Sequence, residues 1–282
     1  MARRLTVRRL RARERDAALA RLTGWPRQNL LLIDAVHSLG VLAVPGEARS
    51  DVLAAFEDGA LAGVASLQPS LAVERGADSE VLAAFLPHLV TVGAGLLKVA
   101  AETAEPVWRA LRRAGRHAIL DRHETAYAVV PGEVAPAEVP AAARVRGARM
   151  GDLEALVQAA RASLREERRP DPFEGDPEGF RRWVAGRIAR ATVVEWEGEL
   201  RFVGYADVQR GEGWLVQGVY TWPEVRRRGL AAAGVAALCR RAAEAGASHV
   251  QLAVVEGNTP AEQLYEHLGF RAFARLRTIL FA

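Results

Sequence analysis

The sequence predicts an α/β protein with two domains of similar plan. Its 282 residues exceed one average domain and suit two of about 140 each. Between them, Pro131-Gly132-Glu133-Val134-Ala135-Pro136-Ala137-Glu138-Val139-Pro140 breaks every periodicity, and its prolines make a stiff extended connector. Beyond that connector the order of strand and helix signals starts again. The expected division is residues 1–130, a linker over 131–141, and residues 142–282.

In the first half, residues 5–11 read as a strand, with Leu5, Val7 and Leu10 alternating against arginines. Asp16 is placed to cap a helix. Leu19, Leu22 and the apolar block Leu30 to Val44 continue a helical region broken at Gly24 and Pro26. Val52 to Phe56, an Asp58-Gly59 turn and Leu61 to Leu67 form a hairpin. A helix spans Ser79 to Val90, and Leu96 to Ala101 is a strand. Glu105-Pro106 opens a helix over Val107 to Arg113 that Gly115 stops, and Thr125 to Val130 is a strand.

After the linker, Arg144 to Arg146 is a strand, and Asp152 precedes an amphipathic helix carrying Leu153, Leu156, Val157 and Leu164. Glu166 to Gly179 is a loop and Phe180 to Ala189 a helix. Thr192 to Trp196, a Glu197-Gly198 turn and Leu200 to Val208 make a second hairpin. Trp214 to Thr221 is a strand, followed by a small-residue helix to Ala245. His249 to Val255 is a strand, and a helix starts at Asn258-Thr259-Pro260. The run from Leu97 through Pro106 to Gly115 lies over that from Gln251 through Pro260 to Gly269 at a constant offset of 154 positions. The turn Asp58-Gly59 lies over Glu197-Gly198 at an offset of 139, so the second half carries 15 extra residues between hairpin and last helix. Two matches in the right order favour a duplicated domain.

Bulk composition excludes several classes. Half the residues are apolar, yet the most hydrophobic stretch, Leu30 to Val44, contains Asp34 and His37 and is too short for a bilayer. Met1-Ala2-Arg3-Arg4 lacks the apolar core of a signal peptide. A soluble cytoplasmic protein without membrane partners is the expectation. Cys239 is the single cysteine, expected as a packed small hydrophobe, and the six histidines lack ligand spacing, so no metal is expected. The net charge is +4, carried almost wholly by arginine because Lys98 is the only lysine. The dense basic run Arg3 to Arg15 reads as a solvated strand face, with a nucleic-acid contact the lesser alternative.

Two segments carry chemistry. The first is Val219-Tyr220-Thr221-Trp222-Pro223-Glu224-Val225-Arg226-Arg227-Arg228-Gly229-Leu230-Ala231-Ala232-Ala233, in which a strand, a glycine-containing loop and a helix N-terminus follow one another. The first amides of a helix have no intrahelical partner and its dipole favours negative charge there, so this is an anion cradle for a phosphate-bearing ligand. The second is Asn258-Thr259-Pro260-Ala261-Glu262-Gln263-Leu264-Tyr265-Glu266-His267-Leu268-Gly269-Phe270. Thr259 with Glu262 reads as a capping box and Gly269 as a left-handed stop. Leu264 and Leu268 face the core, and Tyr265 stands beside that stripe, its phenol towards a cleft.

In this order and separation the two segments resemble the Gcn5-related N-acetyltransferases. The Val-Tyr-Thr-x-Pro-Glu wording and the extra N-terminal half are similar to a bacterial branch whose first domain is itself acetyltransferase-like. The resemblance covers residues 142–282 well and the first 130 loosely. It implies two acyl-CoA N-acyltransferase-like domains in tandem, each a mixed, mostly antiparallel sheet flanked by helices, the first degenerate. The implied co-substrate is acetyl-CoA, without metal. Backbone N–H groups of Arg226, Arg227, Arg228, Gly229, Leu230 and Ala231 would cradle its pyrophosphate. The strand at Val219 to Thr221 would part from His249 to Val255 so that pantetheine bonds Val219 and Thr221, with Gly218 supplying a bulge. An N–H near Val219 or Tyr220 would polarise the thioester. Asn258 is implied as a cofactor contact and Tyr265 as the acid that protonates the departing thiolate.

Plainer readings stand beside these. Tyr265 is also readable as a half-buried aromatic, Asn258 as a turn residue, and Arg227 and Arg228 as solvated. Many relatives carry a glutamate before the phosphate loop, whereas Trp214-Leu215-Val216-Gln217 has no acid. Glu195, Asp207, Glu166 and Glu167 are candidate bases. An acceptor pocket is expected from residues 166–180 with Trp196 and Gln217. In the first half Ala104 falls where Asn258 stands and Leu111 where Tyr265 stands, so that half is not expected to bind acetyl-CoA. The implied acceptor is a small-molecule amine or an amine of a peptide or protein. A non-catalytic acyl-CoA sensor is the alternative.

Overall fold

The computed structural model describes residues 3–41 and 49–282, which form two compact units. The end of the apolar block, Leu42 to Val44, and Met1-Ala2 lie outside the described residues. Of the described residues, unit 1 comprises 3–41 and 49–126 together with Phe273–Ala282, and unit 2 holds Tyr127–Ala272. The chain therefore passes into the second unit within a strand and returns to the first within its last strand.

Unit 1 runs β1 (Leu5–Arg9), α1 (Arg15–Leu22), α2 (Pro26–His37), β2 (Asp51–Glu57), β3 (Ala60–Gln68), β4 (Ala72–Val73), α3 (Ser79–Leu89), β5 (Gly95–Ala100), α4 (Ala101–Arg113) and most of β6 (Ala118–Val129). Its antiparallel sheet has the order β1-β2-β3-β4. A parallel bridge at Leu71 and Leu97 extends it towards β5, and β5 pairs antiparallel with β12 (Arg271–Phe281). Unit 2 runs β7 (Ala143–Gly147), α5 (Leu153–Glu166), α6 (Pro177–Gly186), β8 (Ala191–Trp196), β9 (Glu199–Arg210), β10 (Gly213–Thr221), α7 (Leu230–Glu244), β11 (Val250–Val255) and α8 (Thr259–His267). Its strands lie in the order β6-β11-β10-β9-β8-β7.

The two units share one plan, and an ion pair repeats with it. Arg8 binds Glu14 at 2.7 and 2.8 Å while Glu14 accepts the Arg11 N–H at 3.0 Å. Each partner recurs 138 positions on: Arg146 binds Asp152 at 2.7 and 3.0 Å, and Asp152 accepts the Arg149 N–H at 2.8 Å. Both carboxylates tie the end of a first strand to the start of a first helix. Both hairpin turns, Asp58-Gly59 and Glu197-Gly198, carry positive φ at both positions, as two-residue hairpins require.

Several local expectations change. Glu14, not Asp16, organises the start of α1, because its carboxylate reaches back to the Arg11 N–H while Asp16 lies inside the first turn. Pro106 does not open α4. The helix begins at Ala101 and runs through the proline, because Ala104, Val107, Trp108 and Leu111 form one buried stripe whose packing offsets a single lost N–H. The helix after the long loop starts earlier, at Pro177, with Asp176 accepting the Gly179 N–H at 2.7 Å. The connector is not a bare spacer. Pro131 is buried, Val134 and Ala137 pack on the core of unit 2, and the Ala135 N–H donates to Leu268 O at 3.1 Å.

The basic run is largely paired. Arg3 engages Glu57 and Asp78, Arg8 engages Glu14, and Arg9 engages Asp51. Among the described residues no helix is long and apolar enough to cross a membrane, and no cluster of three or more histidine, cysteine or acidic groups is placed to hold a metal.

Candidate active site

The site grows from the way β10 meets its neighbours. It pairs in parallel with β11 only at Trp214–Val250 and Leu215–Gln251, so from Val216 onward the two strands part. On its other side β10 stays paired with β9 to Thr221, with an extra residue between Gln217 and Tyr220. Gly218, at φ +57°, lies in that bulge, a conformation that costs a side-chain-bearing residue dearly. The Trp222 N–H donates across to Arg201 O at 3.3 Å. Backbone direction alternates along a strand, so Tyr220 faces β9 while the polar groups of Val219 and Thr221 face the gap left by β11.

Beyond Thr221 a short turn at Pro223–Val225 leads into the loop. Arg227 takes φ +63° and Gly229 φ +79°, and Gly229 is the N-cap of α7 without any side chain to fill that role. Among the described residues, no backbone carbonyl takes the N–H groups of residues 227–232. The Arg226 N–H is taken by Pro223 O at 3.3 Å, so the run expected to cradle an anion is open only from Arg227 onward. Arg227 and Arg228 are exposed, the latter with its guanidinium 5.1 Å from the centroid of Trp196. Leu230 is buried and Ala231 half-buried beneath the loop. Arg226 turns to Glu166, at 2.8 Å from each oxygen, and its Nε donates to Thr221 O at 3.0 Å.

Tyr265 is the one buried residue of α8, and Leu264 is only half-buried. The expected order of the two is reversed. Tyr265 shares a face with Ala261 and Leu268, spaced four and three residues away, and that face is the one laid on the sheet. Its ring packs edge-on to Phe270 at 5.6 Å, in the core cluster that also holds Val216 of β10 and Val254 of β11. Burial drives its phenol pKa upward. Cys239 belongs to the same cluster, and burial pushes its thiol up to about 12, which leaves it an inert packing residue at neutral pH. Asn258, exposed, is the N-cap of α8 through Oδ1 to the Ala261 N–H at 3.3 Å. The cap therefore belongs to Asn258 rather than to Thr259, because Thr259 is already the first helical residue.

The residues expected around the acceptor divide between the two sheet faces. The Asp207 side chain lies on the α5–α6 face, which also carries Tyr205 and Tyr220, two residues the sequence does not point to as acceptor contacts. Trp196 packs instead against the α7 cluster, its Nε1 donating to Ala141 O at 3.1 Å, so the structure does not bring it together with them. Gln217 is exposed on β10 opposite Tyr205. Glu167 lies on the surface near Ser163 and Arg169. The candidate bases are engaged: Asp207 with Arg187 at 2.6 Å, Glu195 with Arg146 at 3.0 Å, and Glu166 with Arg226.

Sequence reasoning missed two features. Arg187, at the end of α6, is held between the rings of Trp183 at 4.6 Å and Tyr205 at 4.1 Å while it binds Asp207. The four-residue spacing of Trp183 and Arg187 at the end of one helix was the available signal for their contact, whereas Tyr205 and Asp207 come from β9 and nothing local joins them to it. Tyr127 lies in the same core as Tyr265, and burial raises its pKa too, helped by Glu262 and Glu266. The alternation Thr125, Tyr127, Val129 was the available signal for its facing.

Residues 154–270 match the model of the acetyltransferase (GNAT) family, and the chain carries a domain of that family there. Among solved structures, a Drosophila melanogaster protein is 15% identical with a TM-score of 0.73, over 97% of this chain and 98% of its own. A tandem GNAT protein from the clavulanic acid biosynthesis pathway is 17% identical with a TM-score of 0.57, over 99% and 98%. A GCN5-related N-acetyltransferase from Sphaerobacter thermophilus is 16% identical with a TM-score of 0.55, over 99% and 95%. At such identities the likeness is one of fold. Among curated protein sequences no match was found.

Proposed function

With a GNAT domain in its second unit, we propose that the chain is an N-acetyltransferase that moves acetyl from acetyl-CoA to a primary amine by direct attack. The reading is carried by one observation: β10 and β11 part beside an uncapped helix N-terminus, which leaves the Val219 and Thr221 backbone facing the gap. An extended pantetheine arm is a strand-like ligand, and a gap lined by backbone N–H and C=O groups suits it. The N–H groups of Arg227 to Ala231 would take the pyrophosphate, with Arg227 and Arg228 adding charge. Asn258, at the mouth of α8, is proposed as a second cofactor contact. An N–H at the Gly218 bulge, from Val219 or Tyr220, would polarise the thioester carbonyl and hold the oxyanion.

In that reaction the ammonium first gives a proton to water, the neutral amine nitrogen bonds the acetyl carbon, and the tetrahedral centre collapses with cleavage of the carbon–sulfur bond; the second proton lost from nitrogen passes through water to restore the Tyr265 phenol. Tyr265 would give its proton to the departing thiolate. Burial raises the phenol pKa, so the proton is in place at neutral pH. Unit 1 has neither the loop nor the tyrosine and would serve as support. Cytoplasmic location and a soluble amine or peptide acceptor complete the proposal.

One observation favours the alternative, a non-catalytic acyl-CoA sensor: Asp207, Glu195 and Glu166 are all ion-paired, so none stands ready as a base. A thiol-release assay with acetyl-CoA across amine classes separates the two. Release with at least one amine supports the enzyme. Tight CoA binding without release from any amine would select the sensor.

A further inference from the structure

The guanidinium of Arg226 joins two regions with different tasks under the acetyltransferase reading. It binds both oxygens of Glu166, the last residue of α5, where the loop expected to line the acceptor pocket begins. Tyr220 donates to the same carboxylate from its hydroxyl at 3.3 Å, and its ring centroid lies 5.7 Å from the guanidinium. Through Nε, Arg226 also occupies Thr221 O, one of the gap-facing carbonyls proposed for pantetheine. One side chain therefore covers a cofactor acceptor while it neutralises an acceptor-side carboxylate.

We propose that Glu166 is a positioning residue that couples the two substrate sites by an exchange of ion-pair partners; this rests on the acetyltransferase reading. A pyrophosphate at the start of α7 offers Arg226 a partner of higher charge and fork-matching geometry than one carboxylate. When Arg226 turns to it, Thr221 O is released to the pantetheine and Glu166 loses its cation. A carboxylate left in this way draws a new cation, and the incoming alkylammonium supplies one. Acetyl-CoA then binds first and the amine second. The carboxylate absent from β10 is thereby replaced, for binding, by one at the end of α5. Arg226 and Glu166 are 44% and 45% exposed, so the exchange needs little rearrangement and the latch opposes the cofactor only weakly.

The test is equilibrium calorimetry of acetyl-CoA alone with the full chain, its Glu166→Gln variant and a Glu167→Gln control. Glu167 is the adjacent surface carboxylate and reports the general effect of removing one negative charge. The expected result is a Kd about three- to fivefold lower for Glu166→Gln, the size an exposed pair supports, with Glu167→Gln unchanged. With the best amine from the thiol-release screen, Glu166→Gln should raise the acceptor KM and leave kcat within about twofold. If the native chain binds acetyl-CoA but Glu166→Gln binds it no more tightly, or Glu167→Gln tightens it equally, the coupling is overturned while the acetyltransferase reading stands. An unchanged acceptor KM overturns the acceptor half. If the native chain binds no acetyl-CoA, the acetyltransferase reading falls and takes the coupling with it.

Discussion

The two units place the same helix after the same strand and end it differently. In unit 1, Asp78 caps α3: its carboxylate accepts the N–H groups of Glu80 at 3.0 Å and Val81 at 2.9 Å, and Arg3 pairs with it in turn. In unit 2 the corresponding position before α7 is Gly229, with no side chain to accept anything. Unit 1 thus supplies its own anion, while the start of α7 in unit 2 has no side-chain cap. The strands differ to match. Leu71, just before β4, bonds to Leu96 and Lys98 across the bridge to β5, whereas β10 runs six residues past its last pair with β11. Under the proposed reading, the copy without the helix cap and with the longer strand is the one that holds the site.

The comparison breaks most severely at Tyr265. Tyr265→Phe should lower kcat about 10²-fold or more, the size of a lost general acid, with little change in acetyl-CoA affinity. Tyr127→Phe should leave turnover within a fewfold; if it and not Tyr265→Phe abolishes thiol release, the acid belongs to β6. Because burial raises the Tyr265 pKa, kcat should show no loss on the alkaline side up to about pH 10, the ordinary tyrosine value. A limb that falls well below that would mean a different acid.

Next in size is the helix cap. Gly229→Asp puts a carboxylate at the helix start, with added backbone strain because φ there is +79°, and should raise the Kd of acetyl-CoA at least about tenfold. Calorimetry that shows unchanged affinity would refute the proposed cradle. Conversely, Asp78→Ala should cost about 1 kcal/mol of stability in urea unfolding, as lost helix caps do, without any effect on turnover.

The smallest effect concerns the repeated ion pair. Arg8 holds the Glu14 carboxyl down to about 2, and Arg146 lowers that of Asp152. A depressed folded-state pKa gives stability that is present above the unfolded value and lost as pH falls. Both units should therefore weaken between about pH 5 and pH 2. Glu14→Gln should flatten that acid limb in thermal unfolding, and an unchanged slope would mean that other carboxylates dominate it.

Much of this was legible in the chain. Hairpin turns, the strand–loop–helix order and the motif spacing are local, and local chemistry dictates them: Gly229 and Gly218 take positive φ where a bulky residue would strain. The repeat was legible too, although its best marker, the Arg8–Glu14 and Arg146–Asp152 correspondence, emerges only once the pairs are seen joined. The extension of α4 through Pro106 was hidden, because burial of a four-residue stripe outweighs one missing N–H and burial is not a local property. So was β12, whose residues 273–282 leave the unit that precedes them in sequence and pair with β5.

By itself the sequence determined the tandem α/β plan, the glycine-containing loop before α7 and the motif that carries Tyr265. Each rests on turns, caps and periodicities that span a few residues. Only the tertiary structure decided that Tyr265 rather than Leu264 goes inside, and that Trp196 lies apart from Tyr205. It also decided that Asp207, Glu195 and Glu166 are held by arginines from other elements. Those outcomes depend on which faces meet across a sheet and which charges find each other over long separations, and the order of residues along the chain does not encode them locally.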